Sequence, residues 1–197
     1  MLEFQTKHKN FNERNQLIAD SLPHDNSWVL DVGSNTGYTS RFLSDLGHFV
    51  LGVEKMEPEY KAAQEIQGPT TAFMNINASP EFFQNGPHWS AILLLSVLHR
   101  MYALEGEEFM RGALLECAHK TDNLFIEGST SLKRYIGSKS PKPAFSHLDV
   151  ESSDAWHREM FSEVLGDAWE VQSQNVLNHT EREPHRILYH IKKNTVG

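Results

Sequence analysis

The sequence has almost no cysteine and no long apolar run. Cys117 is the only cysteine among 197 residues, which excludes an intramolecular disulfide framework and fits a reducing compartment. There is no run of about 18 or more apolar residues, so a membrane-spanning helix is not expected. Residues 1–10 are polar and lack the apolar core of a signal peptide. These absences together predict a cytoplasmic protein without a membrane segment.

Positive charge is also in short supply. The chain has 18 Lys and Arg against 26 Asp and Glu, which gives a formal net charge of −8. This surplus of negative charge argues against broad, non-specific binding to nucleic acid, although not against binding to one terminal phosphate. The 11 histidines include no pair at an H-x-x-x-H spacing, so no metal site is predicted.

Short apolar runs alternate with longer helical patterns along the chain, which is typical of α/β proteins. The pattern predicts one domain over residues 1–197, with an N-terminal helix within residues 1–25 and a substrate-side loop over residues 128–150. We expect a doubly wound, mostly parallel seven-stranded sheet with an antiparallel C-terminal hairpin strand and helices on both faces. The predicted strands are 28–32, 49–54, 71–76, 91–97, 123–127, 169–177 and 186–191, and the predicted helices are 12–22, 39–46, 58–66, 106–119 and 152–165.

The first predicted strand runs directly into a glycine turn, residues 33–37. A strand, a tight turn and a helix in succession aim backbone N–H groups at a ligand, and Gly33 and Gly37 permit backbone angles closed to other residues. Asp31, just before the turn, can attract a cationic group. The turn lacks the G-x-G-x-x-G of dinucleotide-binding folds, and no Gly-Lys-Ser/Thr follows it as in a P-loop. Nicotinamide cofactors and nucleoside triphosphates are therefore disfavoured.

The segment Leu30 to Gly37 resembles the first motif of the class I, Rossmann-like S-adenosylmethionine-dependent methyltransferases. Asn35 replaces the family's central glycine, and asparagine tolerates left-handed backbone angles better than other non-glycine residues. The resemblance extends over about residues 28–193, through the strand order and the terminal hairpin. It implies S-adenosylmethionine as cofactor, S-adenosylhomocysteine as product and no metal. The implied cofactor contacts from this segment are Asp31, Gly33, Ser34, Asn35 and Gly37.

Two further positions match the family's nucleoside-binding residues. Glu54 closes the second strand about 20 residues after the turn, where the family's acidic residue accepts hydrogen bonds from both ribose hydroxyls. The end of the third strand often binds the adenine amino group in this family. Asn77 is predicted there, with Ala78 offering a backbone N–H, and Asn75 is the alternative if the strand ends earlier.

Residues 94–101 (LLSVLHRM) are similar to a Ser-Val-Leu-His-His segment of many small-molecule methyltransferases. The resemblance implies that Ser96 and Val97 line the methionine end of the cofactor and that His99 faces the substrate. His99 is the predicted catalytic residue, as a general base that titrates near neutral pH. The alternative is a histidine that packs beneath the loop. Ser90-Ala91 begins the strand where the family often has an acidic residue, a departure that leaves the fold assignment intact.

Substrate binding is expected around the loop over residues 128–150, because ligands in open α/β folds lie beyond the carboxyl ends of the strands. The cations of this loop could hold a phosphate or carboxylate of the substrate, or could belong to a solvated loop. The predicted substrate-binding residues are Glu127, Lys133, Arg134 and Tyr135, with Lys139 and Lys142 nearby.

The expected function is a methyltransferase that acts by direct in-line displacement on a small-molecule acceptor, which could be anionic. A faint resemblance of strands four and five to RNA 5'-phosphate-capping methyltransferases makes an RNA 5' end, or another nucleic acid, the alternative acceptor. A non-catalytic S-adenosylmethionine-binding module is the second alternative. The joint presence of Asp31, Gly33, Gly37 and Glu54 disfavours it.

Overall fold

The computed structural model describes residues 11–131, 134, 136, 149–180 and 183–194, with the backbone alone for residues 179, 180, 183 and 184. The strands in this part of the chain are β1 (Trp28–Val32), β2 (Phe49–Glu54), β3 (Thr71–Asn75), β4 (Ala91–Leu95), β5 (Asn123–Ser129), β6 (Trp169–Thr180) and β7 (Glu183–Lys193). The helices are α1 (Phe11–Ser21), α2 (Tyr38–Asp45), α3 (Glu57–Glu65), α4 (Pro80–Gln84), α5 (Leu98–Glu105), α6 (Glu107–Ala118) and α7 (Val150–Leu165). None of these described helices is long and apolar enough to cross a membrane.

The seven strands form one sheet in the order β3-β2-β1-β4-β5-β7-β6. Neighbouring strands from β3 to β5 are parallel, whereas β7 runs antiparallel to both β5 and β6. This confirms the predicted mostly parallel sheet with an antiparallel C-terminal hairpin. The strand order reverses between β1 and β4. Such a switch point opens a crevice at the carboxyl ends of the strands, where ligands bind in folds of this type.

Alternating side chains of the strands divide the buried core between the two faces of the sheet. On one face, Leu30, Ile92 and Ile126 belong to a cluster with residues of α4 to α7. On the other face, Val29 and Leu93 belong to a cluster with residues of α1 and α2. Helices therefore cover both faces, as predicted. Because the central strands are buried on both sides, a ligand can reach them only at their ends.

Helices α4 and α5 are additions to the predicted elements. The fourth strand was predicted to run to Val97, but β4 ends at Leu95. Ser96 has a φ of 61°, a value that cannot continue a strand, and it turns the chain into α5. The prediction of a strand through Val97 is therefore wrong at its end. The run from Ala91 to Val97 is apolar apart from Ser96, so the sequence pattern does not indicate that a turn begins there.

Strand β5 continues to Ser129, two residues beyond the predicted end at Glu127. The antiparallel pairing with β7 extends as far as Ser129 opposite Arg186, so Gly128 and Ser129 stay in the sheet. The loop predicted to begin at Gly128 therefore begins after Ser129, and Glu127 is a strand residue.

Candidate functional site

One cavity of about 580 Å³ opens at the carboxyl ends of the parallel strands. Its walls come from the segments that follow β1 to β4, from β5, from α1 and from the β6–β7 hairpin. The volume lies within the range of about 300–1,000 Å³ that is typical of small-molecule sites. All predicted cofactor-binding residues except Gly37 line it, namely Asp31, Gly33, Ser34, Asn35, Glu54, Asn77, Ala78, Ser96 and Val97.

The glycine turn has the left-handed geometry that its sequence suggests. Gly33, Asn35 and Gly37 have φ values of 67°, 51° and 77°, so Asn35 takes the angle expected of the glycine it replaces. Gly37 is not among the residues that line the cavity, and a Cβ on it would lie 2.6 Å from Phe73 Cζ. A Cβ on Gly33 would lie 2.5 Å from Val97 Cγ2. The turn and the segment after β4 are therefore in direct contact, which fixes these two predicted cofactor segments against each other.

The Glu54 carboxylate is held in place by two backbone N–H groups. The Asn35 N–H donates to Oε2 at 3.0 Å, and the Met56 N–H donates to Oε1 at 2.8 Å. Glu54 is only 8% exposed, and it is one of the residues that line the cavity. Each carboxylate oxygen can accept a second hydrogen bond. The site therefore presents a rigid carboxylate that can accept two donors from a ligand.

Two polar side chains beside the turn are suited to a ligand with a cationic group and hydrogen-bonding atoms. Asp31 is 2% exposed, and its Oδ2 accepts a hydrogen bond from Ser40 Oγ at 2.6 Å. Burial raises the pKa of Asp31 to about 6, although the Ser40 hydrogen bond and the charge of Arg14 act in the opposite direction. A buried carboxylate of this kind gains most from a cationic partner. Ser34 adds a buried Oγ that has no hydrogen-bond partner among the described residues.

The segment after β3 presents Asn77 and Ala78 to the cavity. Asn75, the alternative considered from the sequence, donates from Nδ2 to the Glu54 carbonyl at 2.7 Å and is not part of the lining. The geometry therefore favours Asn77 as a ligand contact, whereas Asn75 stabilises the end of β2 through its hydrogen bond to Glu54.

Four side chains from distant parts of the chain form a buried network in the wall of the same cavity. This Glu127 network consists of Arg14 from α1, Ser96, Glu127 from β5 and Arg186 from β7. Arg14 Nη1 donates to Glu127 Oε2 at 2.9 Å, and Arg186 Nη1 lies 3.2 Å from Oε1. Ser96 Oγ donates to the same Oε1 and accepts from Arg186 Nη1. Arg14 also donates from Nη2 to Thr39 Oγ1 at 2.9 Å, which ties α1 to α2.

Glu127 was predicted to bind substrate, and among the described residues with that prediction it alone lies in a strand, β5. It is 5% exposed, and both carboxylate oxygens are bound by protein groups. Burial alone would raise the pKa of Glu127, but the charges of Arg14 and Arg186 and the hydrogen bonds from Arg14 and Ser96 lower it to about 2. Glu127 is therefore ionised and holds two guanidinium groups at the cavity wall, while a direct contact with substrate stays a prediction.

His99 lies in the first turn of α5, is 3% exposed and lines the cavity. Burial lowers the pKa of His99 well below its usual range. The charges of Arg186, Arg134 and Arg100 lower it further, against the opposite effect of Glu127. The imidazole is thus neutral at physiological pH. It can form a hydrogen bond with a ligand, but it is a weak base.

Of the predicted loop cations, Arg134 falls within the described residues, where it is exposed and lines the cavity. Lys133, Tyr135, Lys139 and Lys142 lie outside the described residues. Among the described residues, the arginines that line the cavity are Arg14, Arg100, Arg134 and Arg186. In the described part of the chain, no group of His, Cys, Asp and Glu side chains is arranged to hold a metal ion.

Comparison with known proteins gives matches among solved structures, whereas no protein family model and no curated protein sequence matches the chain. Magnesium protoporphyrin IX methyltransferase (ChlM) from Synechocystis PCC 6803, with bound S-adenosylmethionine, has a TM-score of 0.64 at 19% identity, covering 93% of this chain and 77% of that one. Its complex with S-adenosylhomocysteine has a TM-score of 0.65 at 19% identity, covering 93% and 80% of the two chains.

Two other kinds of methyltransferase have the same architecture. The bifunctional kinase-methyltransferase WbdD has a TM-score of 0.66 at 16% identity, covering 94% of this chain but 38% of WbdD. A protein of Pyrococcus horikoshii assigned as an RNA methyltransferase has a TM-score of 0.62 at 12% identity, covering 93% and 84%. At these identities the likeness shows the fold. The chain has the α/β fold of class I S-adenosylmethionine-dependent methyltransferases.

Proposed function

We propose that the protein is an S-adenosylmethionine-dependent methyltransferase, which transfers a methyl group by in-line displacement to a small molecule that carries an anionic group. The observation that carries this proposal is the position of Glu54. Its carboxylate is held at the end of β2 by the N–H groups of Asn35 and Met56, and it faces the cavity. A pair of adjacent ribose hydroxyls supplies the two donors that a carboxylate fixed in this way can accept.

Other residues of the cavity fit the remaining parts of this cofactor. Asp31 would pair with the ammonium group of the methionine moiety, and Asn77 with Ala78 would bind the adenine edge. Ser96 and Val97 would line the methionine end beside the glycine turn. When bound, S-adenosylmethionine supplies a methyl group activated on a sulfonium, while the chain binds, orients and excludes water.

We place the acceptor beside His99, where guanidinium groups line the cavity. Arg134 and Arg186 would attract its carboxylate or phosphate, since arginine binds such groups through paired hydrogen bonds. Lys133 and Tyr135, predicted from the sequence, would add to this side. A net charge of −8 repels a polyanion, whereas local guanidinium groups still attract a single anionic group, which favours a small molecule over nucleic acid.

Thermal unfolding in the presence of ligands tests the cofactor assignment. S-adenosylhomocysteine should raise the Tm because it binds the folded state alone, and NAD should leave the Tm unchanged. The same shift with both compounds, or no shift with S-adenosylhomocysteine, would remove the methyltransferase assignment.

Replacing Glu54 by alanine tests the residue on which the proposal depends. We expect Glu54→Ala to weaken S-adenosylhomocysteine binding by about 1–3 kcal/mol, measured by calorimetric titration, because two hydrogen bonds to a charged group are lost. Glu57→Ala is the matched control, since Glu57 is exposed on α3 and pairs with Lys61. Equal dissociation constants for the two variants would show that another residue holds the ribose.

Cofactor binding without methyl transfer to any compound in a small-molecule cell extract would indicate the non-catalytic S-adenosylmethionine-binding module instead.

A further inference from the structure

The Phe73 side chain on β3 packs across a glycine of the neighbouring strand. Asp31 on β1, Gly52 on β2 and Phe73 on β3 lie abreast in the sheet. Residues that lie abreast in paired strands point to the same face, so Phe73 extends on the face that carries the Asp31 carboxylate. A Cβ on Gly52 would lie 2.5 Å from Phe73 Cδ1 and 2.6 Å from Cε1. The Phe73 ring therefore occupies the space that a side chain at position 52 would fill.

The far end of the same ring contacts the glycine turn. A Cβ on Gly37 would lie 2.6 Å from Phe73 Cζ and 3.0 Å from Cε1, so the ring packs directly on the backbone where the turn ends. Where the turn begins, a Cβ on Gly33 would lie 2.5 Å from Val97 Cγ2. The turn is therefore held between two apolar side chains, one from β3 and one from the segment after β4.

The position of this turn determines where two carboxylates of the cavity are held. Asn35, inside the turn, donates its N–H to Glu54 at 3.0 Å. Gly37 is the residue before α2, and Ser40 in the first turn of that helix donates to Asp31 at 2.6 Å. A displacement of Gly37 would therefore move the groups that support both carboxylates. These are the carboxylates to which we assign the ribose and the ammonium group of the cofactor.

We infer that Phe73 is a positioning residue for the cofactor, whose ring, packed on Gly52, fixes the glycine turn in the geometry that binds S-adenosylmethionine. This inference rests on the proposed function. Phe73 is not among the described residues that line the cavity, so its effect on a ligand passes through the turn. The inference also explains why the middle of β2 holds a glycine, a residue that weakens a strand but permits close approach. A larger residue at position 52 would push the ring towards the turn, because a closely packed site has no spare volume.

The affinity for S-adenosylhomocysteine, measured by calorimetric titration at a temperature where each variant is folded, tests this role. Phe73→Ala should weaken binding about tenfold, because the turn loses its support on one side. Phe73→Leu keeps apolar bulk over Gly52 and should retain most of the affinity. Phe49→Ala is the control and should leave the affinity unchanged, since Phe49 is a partly exposed aromatic residue that begins β2, stacks on Trp28 and is outside the cavity lining. Unchanged affinity in Phe73→Ala would overturn the inference.

A double-substitution cycle separates positioning from a general loss of stability. Gly52→Ala should weaken binding about tenfold in the chain that has Phe73, because the added methyl group displaces the ring. In the Phe73→Ala chain the ring is absent, so the same substitution should change the affinity by less than about twofold. Phe73→Val, which favours a strand and also lacks the outer ring atoms, replaces Phe73→Ala in the cycle if that variant does not fold.

Two outcomes of the cycle have different consequences. The added Cβ at position 52 would also lie 2.9 Å from Ser34 Oγ, a hydroxyl that can rotate away. Equal losses from Gly52→Ala in the two backgrounds would assign the effect to Ser34, overturn the inference and leave the proposed function standing. Failure of the unsubstituted chain to bind S-adenosylhomocysteine would remove the proposed function, and the inference with it.

Discussion

Replacing Glu127 by glutamine tests the buried network on the acceptor side of the cavity. Glutamine keeps the size of the side chain and removes its charge. The guanidinium groups of Arg14 and Arg186, whose side chains are 15% and 4% exposed, then lose the carboxylate that they share. Removing one partner of a buried ion pair costs about 3–5 kcal/mol, because the remaining charge stays buried without compensation.

The pKa of Glu127 gives a similar magnitude by a different route. Burial would raise this pKa, but the charges of Arg14 and Arg186 lower it from 4.5 to about 2. At about 1.4 kcal/mol for each pKa unit, the ionised carboxylate contributes about 3 kcal/mol to stability. Because the folded pKa lies below the unfolded one, this contribution is present above pH 4.5 and is lost as the pH falls toward 2.

Urea unfolding at neutral pH, followed by circular dichroism, measures the effect. Glu127→Gln should lower the free energy of unfolding by about 3 kcal/mol without a change in the m value. Glu163→Gln should change it by less than about 1 kcal/mol, since Glu163 is 52% exposed and its pair with Arg111 is a surface ion pair. The difference between the wild type and Glu127→Gln should shrink as the pH falls below 4.5. A loss below about 1 kcal/mol for Glu127→Gln would refute the assignment of a stabilising buried network.

Two further predictions concern the cofactor side. Burial raises the pKa of Asp31 from 3.8 to about 6. Between these two pH values the folded chain retains a proton that the unfolded chain has lost. The free energy of unfolding should therefore fall as the pH rises from about 4 to about 6. The affinity for S-adenosylhomocysteine should rise over the same pH interval, because Asp31 ionises there. Asp31→Asn should abolish both pH dependences, which urea unfolding and binding titrations measure. A pH dependence that persists in this variant would have to come from another titratable group. Gly33→Ala should weaken cofactor binding and stability by about 1–3 kcal/mol, since it combines a positive φ with a Cβ 2.5 Å from Val97 Cγ2. Gly166→Ala, at a φ of 70° with no atom within 4 Å of the added Cβ, should carry the backbone strain alone; equal losses in the two variants would show that the contact with Val97 is unimportant.

The cofactor side of the cavity could be predicted because its determinants are local in the sequence. Gly33, Asn35 and Gly37 lie in one turn, and the left-handed φ of 51° at Asn35 follows from the tolerance of asparagine for that region. Glu54 closes the next strand, and parallel pairing of β1 with β2 brings it beside the turn. The sequence therefore contained both the residues and the spacing that place them together.

The acceptor side could not be predicted in the same way. Glu127 is separated from Arg14 by 113 residues and from Arg186 by 59, so no local pattern links them. Arg186 reaches the site through the register of β7 on β5, where it lies opposite Ser129. A positive φ at Ser96 is rare for serine, and the apolar residues around it gave no sign of the turn. These contacts depend on the complete sheet and are visible only in the assembled fold.

The distribution of charge explains how one cavity could assemble a cation and an anion in contact. On the proposed assignment, Asp31 and Glu54 favour a cationic cofactor, while Arg134 and Arg186 favour an anionic acceptor. Two opposite unit charges 4 Å apart attract by about 4 kcal/mol at an effective dielectric constant of about 20. After transfer this attraction is lost, because the thioether that remains of the cofactor is neutral. The two substrates therefore attract each other in the cavity, whereas the two products do not. A neutral acceptor would gain nothing from this arrangement, which is the physical reason to propose a small molecule that carries an anionic group.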